Sequence, residues 1–173
     1  MQVHFSVTTL DPHLSARLEP RAAAPHARLR AMQRLGEAGI PVGVLFAPTI
    51  PFVKDHELEA VLHAARAAGA ERAGYVLLRL PHEVAPLFRD WLQAHMPERA
   101  ERVMAAVRQM RGGRDYDASF GTRMRGQGQY AELLAQRFAL AQRRGGYDRH
   151  APPPLDCSRF IAPRAPSAQG ELF

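Results

Sequence analysis

Cysteine and lysine are almost missing from these 173 residues: there is one of each, Cys157 and Lys54. A single cysteine excludes an internal disulfide and any thiolate-only metal site built by this chain. It lies in a proline-rich stretch and reads as an ordinary tail residue of a reducing compartment. No apolar run approaches the ~18 residues needed to span a bilayer. The N-terminus lacks a basic segment followed by an apolar one, so no signal peptide is expected. The expected location is cytoplasmic, with no membrane partner.

What is present is ordinary in bulk and uneven in detail. Hydrophobic residues make up 46% and charged residues 23%, as in a soluble globular protein. The length suffices for one domain with a real core. The net charge of +6 is concentrated late in the chain. Residues 1–105 hold 12 basic and 11 acidic side chains, whereas residues 106–173 hold 11 basic and 6 acidic. A basic half suits phosphate or nucleic acid, and it equally suits a solvated surface.

The opening stretch, MQVHFSVTTLD, alternates. Val3, Phe5 and Val7 fall on one face, and His4, Ser6 and Thr8 on the other, the pattern of a half-buried strand. Asp11-Pro12 starts a short helix to about Leu18. Pro25 opens another, with Leu29, Met32 and Leu35 at helical spacing, ended by Gly39. Ile40 to Ala47, IPVGVLFA, fits a strand buried on both faces and closed by Pro48 and Pro51. Asp55 is the expected cap of a helix carrying Leu58, Val61, Leu62 and Ala65, ended by Gly69. Gly74 to Leu80, GYVLLRL, is a third strand. Helices are then expected over Val84 to His95, Pro97 to Met110 and Tyr130 to Arg144, with a Gly- and Arg-rich loop from Arg111 to Gln129.

The β-α-β-α-β order and its connection lengths suit parallel crossovers. The chain divides into a strand-bearing part (1–82), a helical extension with the basic loop (83–145) and a Pro/Arg-rich tail (146–173) expected to be poorly ordered. Three parallel strands are few for an α/β domain, and the first would be left as a bare edge with a polar face. The chain therefore reads as the back half of something larger, and as prone to self-association when isolated.

Several blocks extend that reading. SVTTLD, then LEPRAAAPHARLRAMQRLGEAGIPVGVLFAPTIP, resembles the second half of the radical S-adenosylmethionine core of enzymes related to spore photoproduct lyase. YVLLRLPHEVAPLF, QMRGGRDYDASFGTRMRGQGQYA and QGELF continue the resemblance over nearly the whole chain. It implies the back half of a partial (β/α)6 barrel, similar to a TIM barrel, holding a [4Fe–4S] cluster and S-adenosylmethionine. The family's CxxxCxxC cluster loop has no counterpart here, so no cluster is expected on this chain alone, and the front half of the barrel would be missing. The resemblance carries ligand-binding roles onto Ser6 and Thr8 for the ribose and amino-acid portion, and onto Ala47 and Pro48 for the adenine. It carries a carboxylate-pairing role onto Arg21.

Other residues have two readings each. Arg111, Arg114, Arg123 and Arg125 are interleaved with Tyr116 and Phe120, a mixture that suits phosphates and stacked bases. They can also pair with Asp115 and Asp117 in a packed loop. His56 and His63 share a helix face but lie roughly 10 Å apart along it, too far for one metal ion. His82-Glu83 can touch a substrate or cap the following helix. Gln169, Leu172 and Phe173 of QGELF match the bacterial sliding-clamp-binding pentapeptide, with Gly170 departing from it. Two functions follow as expectations. One is the C-terminal fragment of a radical S-adenosylmethionine enzyme, inactive alone. The other is a stand-alone nucleic-acid or clamp-associated binding module.

Overall fold

A computed structural model describes residues 2–147, 157–158 and 160–162. The elements are β1 (Val3–Ser6), α1 (Pro12–Leu18), α2 (Pro25–Glu37), β2 (Val42–Thr49), α3 (Leu58–Ala67), β3 (Arg72–Leu77), α4 (Val84–His95), α5 (Pro97–Gln109) and α6 (Gln129–Gly145). The strands form one parallel sheet in the order β1-β2-β3.

Alternation decides which face each side chain takes. Val3, Phe5, Val42, Val44, Phe46, Ala73, Tyr75 and Leu77 share one face, packed with Met32 of α2, Leu58, Val61 and Leu62 of α3, and Leu134 and Phe138 of α6. The register places His4 opposite Gly43, and Gly43 opposite Arg72, on the other face, with Ser6, Leu45 and Gly74 following. His4 and Ser6 are exposed there, and Leu45, Ala47, Gly74 and Val76 are half-buried. Helices thus cover one side of the sheet, while its second side presents His4, Ser6 and Arg72 among small and aliphatic groups. A second core caps the C-terminal ends of the strands. It joins Leu14 of α1, Ile50, Val53, Leu78 and Leu80 to Leu92 of α4 and Val103, Met104 and Val107 of α5.

Three local expectations are corrected. β2 continues past Pro48 to Thr49. Proline cannot donate to the ladder, and the β2–β3 register slips between Phe46 and Thr49 to accommodate it before pairing resumes. The Ala47-Pro48 peptide bond is cis. β3 begins at Arg72 and leaves the sheet after Leu77, because Leu78 and Leu80 turn into the second core. Asp55 does not cap α3 with its side chain: it opens a 3-10 turn over Asp55–Glu57. Its carboxylate instead accepts the Tyr130 hydroxyl, and burial followed by this carboxylate pushes the phenol pKa up. Arg137 adds a bond to the Asp55 carbonyl and a pair with Glu59 at 2.6 Å, so α6 is fastened to the start of α3 by polar contacts.

Candidate functional site

The C-terminal ends of β1 and β2 are joined by a compact polar cluster. The Ser6 hydroxyl donates to the Ala47 carbonyl at 2.8 Å. Arg28, on α2, donates to the Ser6 carbonyl at 2.7 Å, the Ala23 carbonyl at 2.8 Å and the Glu19 carboxylate at 2.9 Å. The Thr8 hydroxyl donates to the same Glu19 oxygen at 2.7 Å. Glu57 receives the Thr9 hydroxyl and the Leu10 amide, each at 2.7 Å, which fixes the turn leaving β1.

Lys54 closes this cluster from beneath. It has no exposed surface. Its ammonium nitrogen donates to the Thr8 carbonyl and lies 4.5 Å from the centre of the Phe46 ring. Loss of water brings its pKa down to about 7, against the pull of Glu19 and Glu57 and with a smaller push from Arg28. Two cations therefore occupy successive outward carbonyls at the end of β1, and one carboxylate links two neighbouring side chains.

The structure brings Ser6 and Ala47 together on the open side of the sheet, with Pro48 half-buried beside them. Thr8 joins them, its hydroxyl 3.4 Å from the same Ala47 carbonyl, but it is buried and its shorter bond, 2.7 Å, goes to Glu19. Arg21 is exposed on a shallow depression of about 390 Å³ with Glu19, Pro20 and Ala22. The arginine that enters the cluster is Arg28. Sequence reading passed over Arg28, Glu19, Lys54 and Glu57. Arg28 did carry a signal, since 28, 32 and 35 recur at the spacing of the buried stripe. So did Lys54, as the one lysine of the chain, directly after the apolar Pro51, Phe52 and Val53.

The Ser6 hydroxyl and the Ala47 carbonyl lie at the strand ends on the open side of the sheet, where they bond to each other. The [4Fe–4S] cluster does not fit: it needs several thiolates, the sequence contains one cysteine, and that residue, Cys157, is exposed and far along the chain. Among the described residues no group of three His, Cys, Asp or Glu is placed to hold a metal ion. His56, His63 and His82 are exposed. A cavity of about 490 Å³ between α3 and α6 is lined by His63, Arg66, Arg137 and Arg144. Arg66 and Arg144 lie in the last turns of their helices, where cations complement the helix dipole, and Arg137 is paired with Glu59.

The basic loop between α5 and α6 is anchored from below. Arg111 is buried and donates to the Leu78 carbonyl at 2.9 Å and the Thr122 carbonyl at 3.0 Å. Burial lowers its pKa. It is a tether and does not present its charge at the surface. Asp115 is held by Arg89 and by Arg108, the latter at 3.2 Å. Asp117 accepts the Ser119 amide at 2.9 Å and the Thr122 hydroxyl at 2.7 Å; the Ser119 side chain first, then the Thr122 hydroxyl and the Ser119 amide, hold its pKa down to about 2. Arg114 and Arg125 remain exposed and Arg123 is half-buried. Arg125 lies over the Tyr75 ring at 5.0 Å and Arg123 over Phe120 at 5.3 Å. Gln169, Leu172 and Phe173 lie outside the described residues. Among the described residues, no helix is long and apolar enough to cross a membrane.

Comparison with known proteins adds little. No family model matches the chain, and no solved structure matches it. A segment of 49 residues, 28% of this chain, is 41% identical to an uncharacterized protein, ORF301, of Acidianus two-tailed virus. The match spans 16% of that protein's length, so this chain covers only a small part of that relative.

Proposed function

We propose that the chain is the C-terminal part of a radical S-adenosylmethionine-type partial barrel, with the remaining strands and the cluster-binding loop supplied by polypeptide outside these 173 residues. The observation that carries this reading is the one-sided sheet. Consecutive parallel strands with helices on one side are what a segment of a (β/α) barrel requires. The free side then faces a chamber, with the Ser6 hydroxyl and the Ala47 carbonyl near the strand ends, where barrels place ligands. Arg28, Glu19 and Lys54 would hold those strand ends in position, and the cofactor would supply the radical chemistry when bound. The test is anaerobic incubation with iron and sulfide. This chain alone stays colourless, and colour appears only when a polypeptide carrying the cysteine loop is co-produced with it. A stable cluster on the chain alone overturns the reading.

A second reading, a stand-alone nucleic-acid-binding module, is favoured by one specific observation. Phe120 is 91% exposed beside Arg123, on a loop whose acidic groups are already bonded. Oligonucleotide binding measured against salt tests it, because contacts of arginine with phosphate weaken steeply as salt rises. A clamp-binding role for Gln169, Leu172 and Phe173 is tested separately, by deleting QGELF and measuring retention on immobilised sliding clamp.

A further inference from the structure

Phe120 marks the tip of a braced turn. The Arg123 amide donates to the Ser119 carbonyl, and the Arg125 and Gly126 amides donate to the Thr122 carbonyl, so residues 119–126 fold back on themselves. Gly121 has a φ of +96°, which only glycine adopts without strain. The returning arm is joined to the sheet and to the end of α5: the Leu77 amide donates to the Met124 carbonyl at 2.9 Å, and the Gln127 amide to the Met110 carbonyl at 3.0 Å. Arg111 pins the same turn through Thr122. A turn held at this many points presents its outer side chains in a set arrangement.

Those side chains include the Phe120 ring with the Arg123 guanidinium 5.3 Å from its centre, and Arg114 and Arg125 are exposed on the same loop. Asp115 is taken up by Arg89 and Arg108, while Asp117 is held by the uncharged Ser119 and Thr122 and keeps its negative charge on the loop, where Arg114, Arg123 and Arg125 outnumber it. With Arg123 on one side of its ring, Phe120 offers its remaining surface to water, an arrangement that costs free energy unless a flat group covers it. We propose that this turn binds single-stranded nucleic acid, with an unpaired base stacked on Phe120 against the side away from Arg123, and Arg114 and Arg125 on the flanking phosphates. In a duplex each base has both faces covered by its neighbours, so the ring could stack only on a base that is unpaired or at an end. The inference rests on the nucleic-acid reading above and makes it specific.

The experiment is fluorescence anisotropy with a labelled thymidine oligonucleotide and a duplex of the same length, at several salt concentrations. The proteins are the full chain, Phe120→Ala, Phe120→Leu, Phe120→Trp and Arg114→Ala. The ring is exposed, so circular dichroism of the Phe120 variants should match that of the parent. The single strand should bind tighter than the duplex. Phe120→Ala and Phe120→Leu should weaken single-strand binding by about five- to a hundredfold, the range for one lost stacking contact. Phe120→Trp should retain it, and Arg114→Ala should weaken both ligands alike. Equal affinity for the duplex, or no change in Phe120→Ala, overturns the stacking inference and leaves the basic loop as a phosphate surface. Failure of both ligands to bind at low salt overturns the inference and the nucleic-acid reading together.

Discussion

The Lys54 ammonium group donates to the main-chain carbonyl of Thr8 from a position with no access to solvent. Its folded pKa, about 7, lies below the unfolded value of 10.5. Between those values the unfolded chain carries the proton and the folded chain does not, so stability rises as pH rises through that window. Below pH 7 both states are protonated and the residue contributes no slope. Urea unfolding from pH 6 to pH 10 should show the rise, and Lys54→Met should remove the part that belongs to this group. An unchanged slope in Lys54→Met would show that Lys54 keeps its proton in the fold.

Arg28 is the other cation at the end of β1. Replacing it by leucine leaves the Ser6 and Ala23 carbonyls without their donor and deprives Glu19 of its partner. The group is only partly screened by water, so the expected loss is about 1–3 kcal/mol by chemical denaturation. Arg21→Leu, a change at an exposed position, should stay within about 0.5 kcal/mol of the parent.

Gly43 lies between two neighbours in the register. A methyl group there would stand 2.6 Å from the His4 ring and 3.0 Å from the Arg72 Cβ. The ring, on an exposed edge strand, can swing aside, whereas the Cβ of Arg72 moves only with β3. Gly43→Ala should destabilise by about 1–3 kcal/mol, as overpacking does. Its cost should fall, without vanishing, in a His4→Ala background.

Arg111→Met should release the basic loop while leaving the sheet intact. Two carbonyls, Leu78 and Thr122, lose their guanidinium donors. Hydrogen exchange should then quicken at the amides of Arg123, Arg125 and Gly126 while those of β2 keep their protection.

Much of the frame was legible because it depends on spacing alone. The alternation of Val3, Phe5 and Val7 against His4 and Ser6 gave β1 its two faces, and prolines at 12, 25 and 97 marked true helix starts. What escaped depends on partners distant in sequence. Thr8 reads as a second hydroxyl on the polar face, yet Glu19, eleven residues on, takes it inward. Asp55 has the chemistry of a cap, and Tyr130, 75 residues away, claims its carboxylate. Lys54 looks like a surface residue because lysine usually is one. The Thr8 carbonyl and the Phe46 ring, with Glu19 and Glu57 nearby, offset the cost of its burial. Arg111 was grouped with three arginines of similar sequence setting, and the fold separates it from them by burying it under Leu78.

Apart from Lys54, each of the 23 basic side chains is an arginine. Guanidinium groups keep their proton at any pH a cell reaches. The one amine among them is sealed inside the cluster at the end of β1, so acylating reagents and lysine-modifying enzymes meet no described side-chain amine on the folded surface. The positive charge of the basic loop is therefore permanent: alkaline conditions do not erase it, and lysine acetylation cannot tune it. A bound polyanion would be released by competing salt or by newly added negative charge.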